Sequence, residues 1–131
     1  MTMTKRDLAY HVFRTLFALV FLGGGVNHFA NPGFYQPMMP PYVPAPDLMI
    51  VLSGIAEIVL GAALLVPKTT RPAAWGLIAL LVAVFPANLH MALHQADLFP
   101  TFSPVALWIR LPIQGLLIAW AYAYTRPRRA A

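Results

Sequence analysis

Residues 47–66 read DLMIVLSGIAEIVLGAALLV, a run with one acid at its start, one carboxylate near its middle and no other charge. As a helix rising ~1.5 Å per residue, such a run crosses the ~30 Å hydrocarbon core of a bilayer. It lacks the alternation of a barrel strand, and in lipid only helices and closed barrels satisfy their backbones. Similar runs lie on either side of it, over 12–30, 72–94 and 104–124. The expected fold class is therefore all-α, a polytopic membrane four-helix bundle. It forms one domain over residues 1–131, with helices at about 12–30, 47–66, 72–94 and 104–124.

Composition points the same way. Of 131 residues, 60% are hydrophobic and 10% charged, with a mean hydropathy of +0.68. Soluble domains average about 25% charged residues, and a chain this small could not bury so much apolar surface. A net charge of +5 raises the question of nucleic acid. The cations lie at the chain ends and in one short loop, not on a basic face interleaved with aromatics, so nucleic acid is excluded as a partner. The chain has no cysteine. That removes disulfides, iron–sulfur clusters, thiolate haem and cysteine-based exchange with a quinone by this chain alone. The basic start of the first run resembles a signal peptide. However, His28 stands where a small residue is wanted before a cut at Ala30, so the run reads as a retained helix.

Local chemistry sets the breaks. Asp47 after Pro46 is expected to N-cap the second helix, and Ser103 the fourth. Pro72 and Pro104 suit first-turn positions, and Pro67 ends the second helix. The segment 31–46 holds six prolines and three aromatics. Its proline density argues against helix, leaving it as a lid over the bundle mouth or as an aromatic anchor. Lys5, Arg6, Arg14, Lys68, Arg71, Arg126, Arg128 and Arg129 all fall on one side of the four spans, and the other two loops contain no Lys or Arg. The positive-inside rule then places both termini in the cytoplasm, with the protein integral to the plasma (inner) membrane.

Polar residues inside spans are costly and mark function or packing. Counted from the outer helix ends at ~1.5 Å per residue, Asn27 and His28 lie roughly 3–5 Å deep and Asn88 and His90 roughly 6–9 Å. On the same scale Arg110 lies at about 9 Å, and Glu57 and Gln114 near 15 Å. These seven residues are the candidate ligand-binding set, in an outer half facing an almost purely apolar inner half. Gly54, Glu57 and Gly61 share a stripe, as do Gly24 and His28, and small residues beside polar ones mark helix contacts. Glu57 is expected either to pair with Arg110 or, as a neutral acid, to bond Gln114, the better match in level. Pro86 and Pro112 free carbonyls near Val82 and Trp108, for which Arg110, Asn88 or water are the expected donors. His90 and His94 have the i, i+4 spacing of a metal pair, but the expected metal is none. Gly23-Gly24-Gly25 reads as a close-packing or kink site.

Together MMPPYVP (38–44), SGIAE (53–57) running into GAALLVP (61–67), FPANLHM (85–91) and WIRLPIQ (108–114) resemble the DoxX-like family of small four-helix membrane proteins. The resemblance covers about residues 12–124. It implies kinship with a namesake associated with quinone-linked sulfur oxidation, while most members have no established activity. It supplies no agreed catalytic set. The expected function is an accessory or membrane-anchor subunit of a quinone-linked redox system, embedded in the lipid bilayer and working with a redox partner protein. The small molecule it would present is a quinone or another lipid-soluble molecule, no resident cofactor is expected, and the reading leaves room for a homo-oligomer. Whether the chain is itself an enzyme stays open. The alternative is a non-catalytic assembly or chaperone protein whose polar cluster is structural.

Overall fold

The computed structural model describes residues 2–127, so Arg128 and Arg129 of the flanking cations lie outside the described residues. Four long helices make the bundle: α1 Lys5–Ala30, α2 Pro46–Leu64, α3 Thr70–Leu93 and α4 Pro104–Ala123. All four are long and apolar enough to cross a membrane. No strand occurs among the described residues.

The helix ends show where hydropathy misleads. α1 begins at Lys5 rather than Val12, because Thr4 and Asp7 form a capping box. The Asp7 amide donates to Thr4 Oγ1 at 3.1 Å, and the Thr4 amide to Asp7 Oδ2 at 3.2 Å. The box starts a helix in polar sequence that an apolar-run criterion cannot see. α2 begins at Pro46 after Ala45, whose φ of 47° lies in the left-handed region. Asp47 is thus inside the first turn and is not the cap; its Oδ1 accepts from Gln36 Nε2 at 3.1 Å. Ser103 holds the cap position of α4, but its side chain makes no capping bond. The proline-rich connection contains helix after all, a turn at Pro32–Tyr35 and a 3-10 turn at Gln36–Met38. Pro32 and Pro37 stand at the first two positions of these turns, where a missing N–H costs nothing.

Consecutive helices pack side by side, and the α1–α2 seam is the tightest. A Cβ at Gly25 would lie 2.7 Å from the Gly54 carbonyl oxygen, and one at Gly54 would lie 2.8 Å from His28 Cβ. Further along, a Cβ at Gly61 would lie 3.2 Å from the Ala18 carbonyl oxygen. Of the glycine triplet, Gly25 is the packing residue, Gly24 leaves room for Glu57 Oε1, and Gly23 has no neighbour within 4 Å of a built Cβ. The ring closes between α1 and α4 through large side chains rather than close backbones. Phe17 and Trp120 have ring centroids 4.6 Å apart, and Tyr10 and Tyr124 5.5 Å. Phe17, Leu64 and Leu77 are fully buried in the half of the bundle that carries the termini. Met38, Met91, Phe99 and Leu107 form a second small core at the opposite, distal end. Between the two cores the wide α1–α4 spacing leaves a space that side chains do not fill.

Candidate functional site

That space is a cavity of about 280 Å³ reached by all four helices. Its walls are mostly apolar, among them Val20, Phe21, Ile50, Leu80, Val84 and Leu117. Four of the seven candidate residues line it: His28, Glu57, Asn88 and Arg110.

His28 and Glu57 meet directly, with Nε2 2.7 Å from Oε2. The contact is short but off the ring N–H axis, so Oε2 is buried without an aligned hydrogen bond. We read it as a close ion-pair contact, since the separation itself is that of a bonded pair. The other ring nitrogen, Nδ1, lies 2.9 Å from the Ile50 carbonyl oxygen. A carbonyl oxygen only accepts, so Nδ1 carries a proton. Nε2 is then the ring nitrogen that faces the Glu57 carboxyl group.

This pairing corrects both expected partners of Glu57. Depth counting sets His28 some 10 Å above Glu57 because it assumes that all helices end at one level. The seam shows otherwise. Gly25 faces Gly54 and Ala18 faces Gly61, which leaves Glu57 only three to six residues, roughly 5–9 Å, below His28. Helix side chains lean toward their own N-terminus. His28 on α1 therefore leans toward the termini end and Glu57 on α2 toward the distal end, so the two converge. Arg110 on α4 leans distally, away from Glu57. It is exposed and forms no ion pair among the described residues.

Gln114 is committed elsewhere. It is 3% exposed, accepts from Asn88 Nδ2 at 2.7 Å and donates its amide to the Leu81 carbonyl. The carbonyl served is Leu81, one residue from the expected Val82, and the donor is Gln114 rather than Arg110 or Asn88. This cross-link ties α3 to α4 behind the cavity.

Two candidates lie outside. Asn27 donates to the Tyr35 hydroxyl at 2.8 Å and accepts from Asn31 at 2.7 Å, beside a separate surface hollow. His90 faces His94, with ring centroids 4.3 Å apart. His28 is not near them, and among the described residues no three His, Cys, Asp or Glu side chains converge as a metal set would.

Tyr35, Met38, Met39 and Ser53 line the cavity and are absent from the expected set. Tyr35 stacks on His28 with centroids 4.0 Å apart and planes 29° from parallel. Burial pushes its hydroxyl up from the ordinary tyrosine range, against the opposing bond from Asn27. The only signal for Tyr35 in the sequence is an aromatic residue placed soon after His28 in the proline-rich segment. Met38 and Met39 give no signal beyond being apolar.

No curated protein and no solved structure matches the chain. A family model described as a domain of unknown function, DUF8561, matches residues 17–125. That stretch takes in every residue of the cavity and of the α3–α4 cross-link, and the chain belongs to that family.

Proposed function

We propose that the cavity binds the carbonyl-bearing headgroup of a small lipid-soluble molecule, a quinone being the class that fits. In this reading the chain is an accessory or membrane-anchor subunit, with both termini cytoplasmic, that presents the molecule to a redox partner protein in the plasma membrane. The observation that carries it is Arg110, a cation without a counter-ion among the described residues, on a mostly apolar cavity that also holds the His28–Glu57 pair. Ligand pockets combine apolar walls with a few such polar groups. Arg110 donates to a carbonyl oxygen. The His28–Glu57 pair is placed to relay protons to or from the ring oxygens, which take up two protons as the partner supplies two electrons and release two as it withdraws them. A cavity of 280 Å³ holds one ring, so the isoprenoid tail would leave it for lipid. The resemblance to DoxX-like proteins points toward the same chemistry.

Titration of the purified protein with a short-chain benzoquinone, followed by tryptophan quenching, tests this. Saturable binding is expected, weakened about tenfold or more in Arg110→Gln, since a hydrogen bond from a charged donor contributes roughly 1.5–3 kcal/mol. Non-saturable partitioning, equal in both proteins, would count against it. One observation favours the second reading, an assembly protein with a structural cluster: Asn88 and Gln114 use their hydrogen bonds within the bundle. On that reading Arg110→Gln leaves quinone binding unchanged.

A further inference from the structure

A second pocket, of about 290 Å³, lies at the opposite end of the bundle from the cavity, where the α2–α3 turn meets α1 and the end of α4. Arg14 from α1, Arg71 from α3 and Arg126 just beyond α4 line it together with His11, Tyr10 and Thr70. Among the described residues no carboxylate lines it. Asp7, the acid nearest in sequence, lies outside it and accepts from Thr4 Oγ1 at 2.8 Å in the capping box.

Arg14 is the unusual member. It is only 9% exposed, and its Nε is buried with no hydrogen-bond partner. One terminal amino group donates to His11 Nδ1 at 3.1 Å, and the guanidinium lies 5.4 Å from the centre of the Tyr10 ring. Neither contact supplies negative charge. A buried guanidinium with an orphaned donor and no anion is costly, and such groups are normally paired. Arg71 is anchored by its Nε, which donates to the Thr125 carbonyl at 3.0 Å, and its terminal amino groups have no partner among the described residues. Arg126 is held over the Tyr122 ring at 5.3 Å. Three arginines from separate elements thus line one small hollow, and planar guanidinium forks match the geometry of phosphate oxygens.

We propose that this pocket binds a phosphate group, with Arg14 as its buried anchor and Arg71 and Arg126 closing on the outer oxygens. The pocket lies level with the loops of the bundle, where phospholipid headgroups sit and where basic pockets between membrane helices hold anionic lipid. A free phosphate or phosphomonoester offers the same oxygens, so two arms separate the sources.

In the first arm, inorganic phosphate is titrated against the purified full chain in neutral detergent, at ionic strength held constant with chloride, and thermal stability is read. Binding to the folded state alone raises the melting temperature by mass action. In the second arm, the protein is reconstituted in nanodiscs of phosphatidylcholine with and without phosphatidylglycerol, and retained lipid is counted by native mass spectrometry. A free-phosphate site gives a phosphate-dependent rise in the first arm. A lipid site gives retained phosphatidylglycerol in the second. In either case Arg14→Gln is expected to weaken the response about tenfold or more, as the loss of a charge-assisted bond should. Arg126→Gln, at an exposed position, gives a second readout if Arg14→Gln does not fold, and is expected to weaken the response by a smaller factor. A flat first arm together with lipid retention indifferent to charge, or responses unchanged in both variants, would overturn the proposal.

Discussion

Glu57 pairs with His28 across the tight α1–α2 seam, and helix packing together with the lean of each side chain decides this. His28 and Glu57 tilt toward one another because α1 and α2 run in opposite directions, whereas Arg110 tilts away. A double-mutant cycle on thermal unfolding in detergent checks this. Glu57→Gln and His28→Gln are expected to couple by more than ~0.5 kcal/mol, the usual error of additivity. Glu57→Gln and Arg110→Gln are expected to add within that error. Coupling only in the second cycle would restore the pairing expected from depth. Gln114 offers a further check at this scale. Gln114→Leu removes a bond to the Leu81 carbonyl and strands the Asn88 amide. Leaving such groups unsatisfied costs ~1–3 kcal/mol in soluble proteins, but membrane hydrogen bonds average only about 0.6. A loss on the order of 1 kcal/mol is expected in the same unfolding assay, and no loss would remove the cross-link from the list of stabilising contacts. The seven polar candidates were legible as a group because charge and amide are rare in spans. Their partners were not, because pairing depends on helix register, which no residue type announces.

The α1–α2 seam sets that register. Gly25→Ala would put a methyl group 2.7 Å from a backbone oxygen that cannot move without its helix. Overpacking of this kind costs typically 1–3 kcal/mol, more than the up to ~1 kcal/mol that alanine gains over glycine in a helix. Gly25→Ala is therefore expected to lower the melting temperature. Gly23→Ala, two positions away with open space at its Cβ, is expected to leave it unchanged or raise it slightly. Equal effects at the two sites would contradict the seam. The glycine stripes pointed to helix contact from sequence alone, and the four spans followed from length and hydropathy. Element ends were less legible. The capping box that starts α1 lies in polar sequence, and the turns at Pro32–Tyr35 and Gln36–Met38 lie where proline content argued for extended chain. In both places local hydrogen bonding overrode composition.

Over the whole molecule, a tight seam on one side and aromatic spacers on the other leave a hollow between the two cores, while the termini end gathers the cations. Orientation is testable because the chain has no native cysteine. Tyr42→Cys, at a position 74% exposed, is expected to react with an impermeant maleimide on whole cells, and Thr69→Cys in the α2–α3 turn to be protected. The opposite pattern would invert the topology. The question of ligand site against packing cluster is met most directly by asking what the cavity holds in the membrane. Native protein and an Ala87→Phe variant, whose ring would fill the cavity, are purified in parallel, and their apolar molecules are extracted and identified by mass spectrometry. The expected result is an isoprenoid quinone retained by the native protein in roughly stoichiometric amount and depleted about tenfold or more in a variant that still folds. Equal quinone in both proteins, or none in either, would contradict a quinone site.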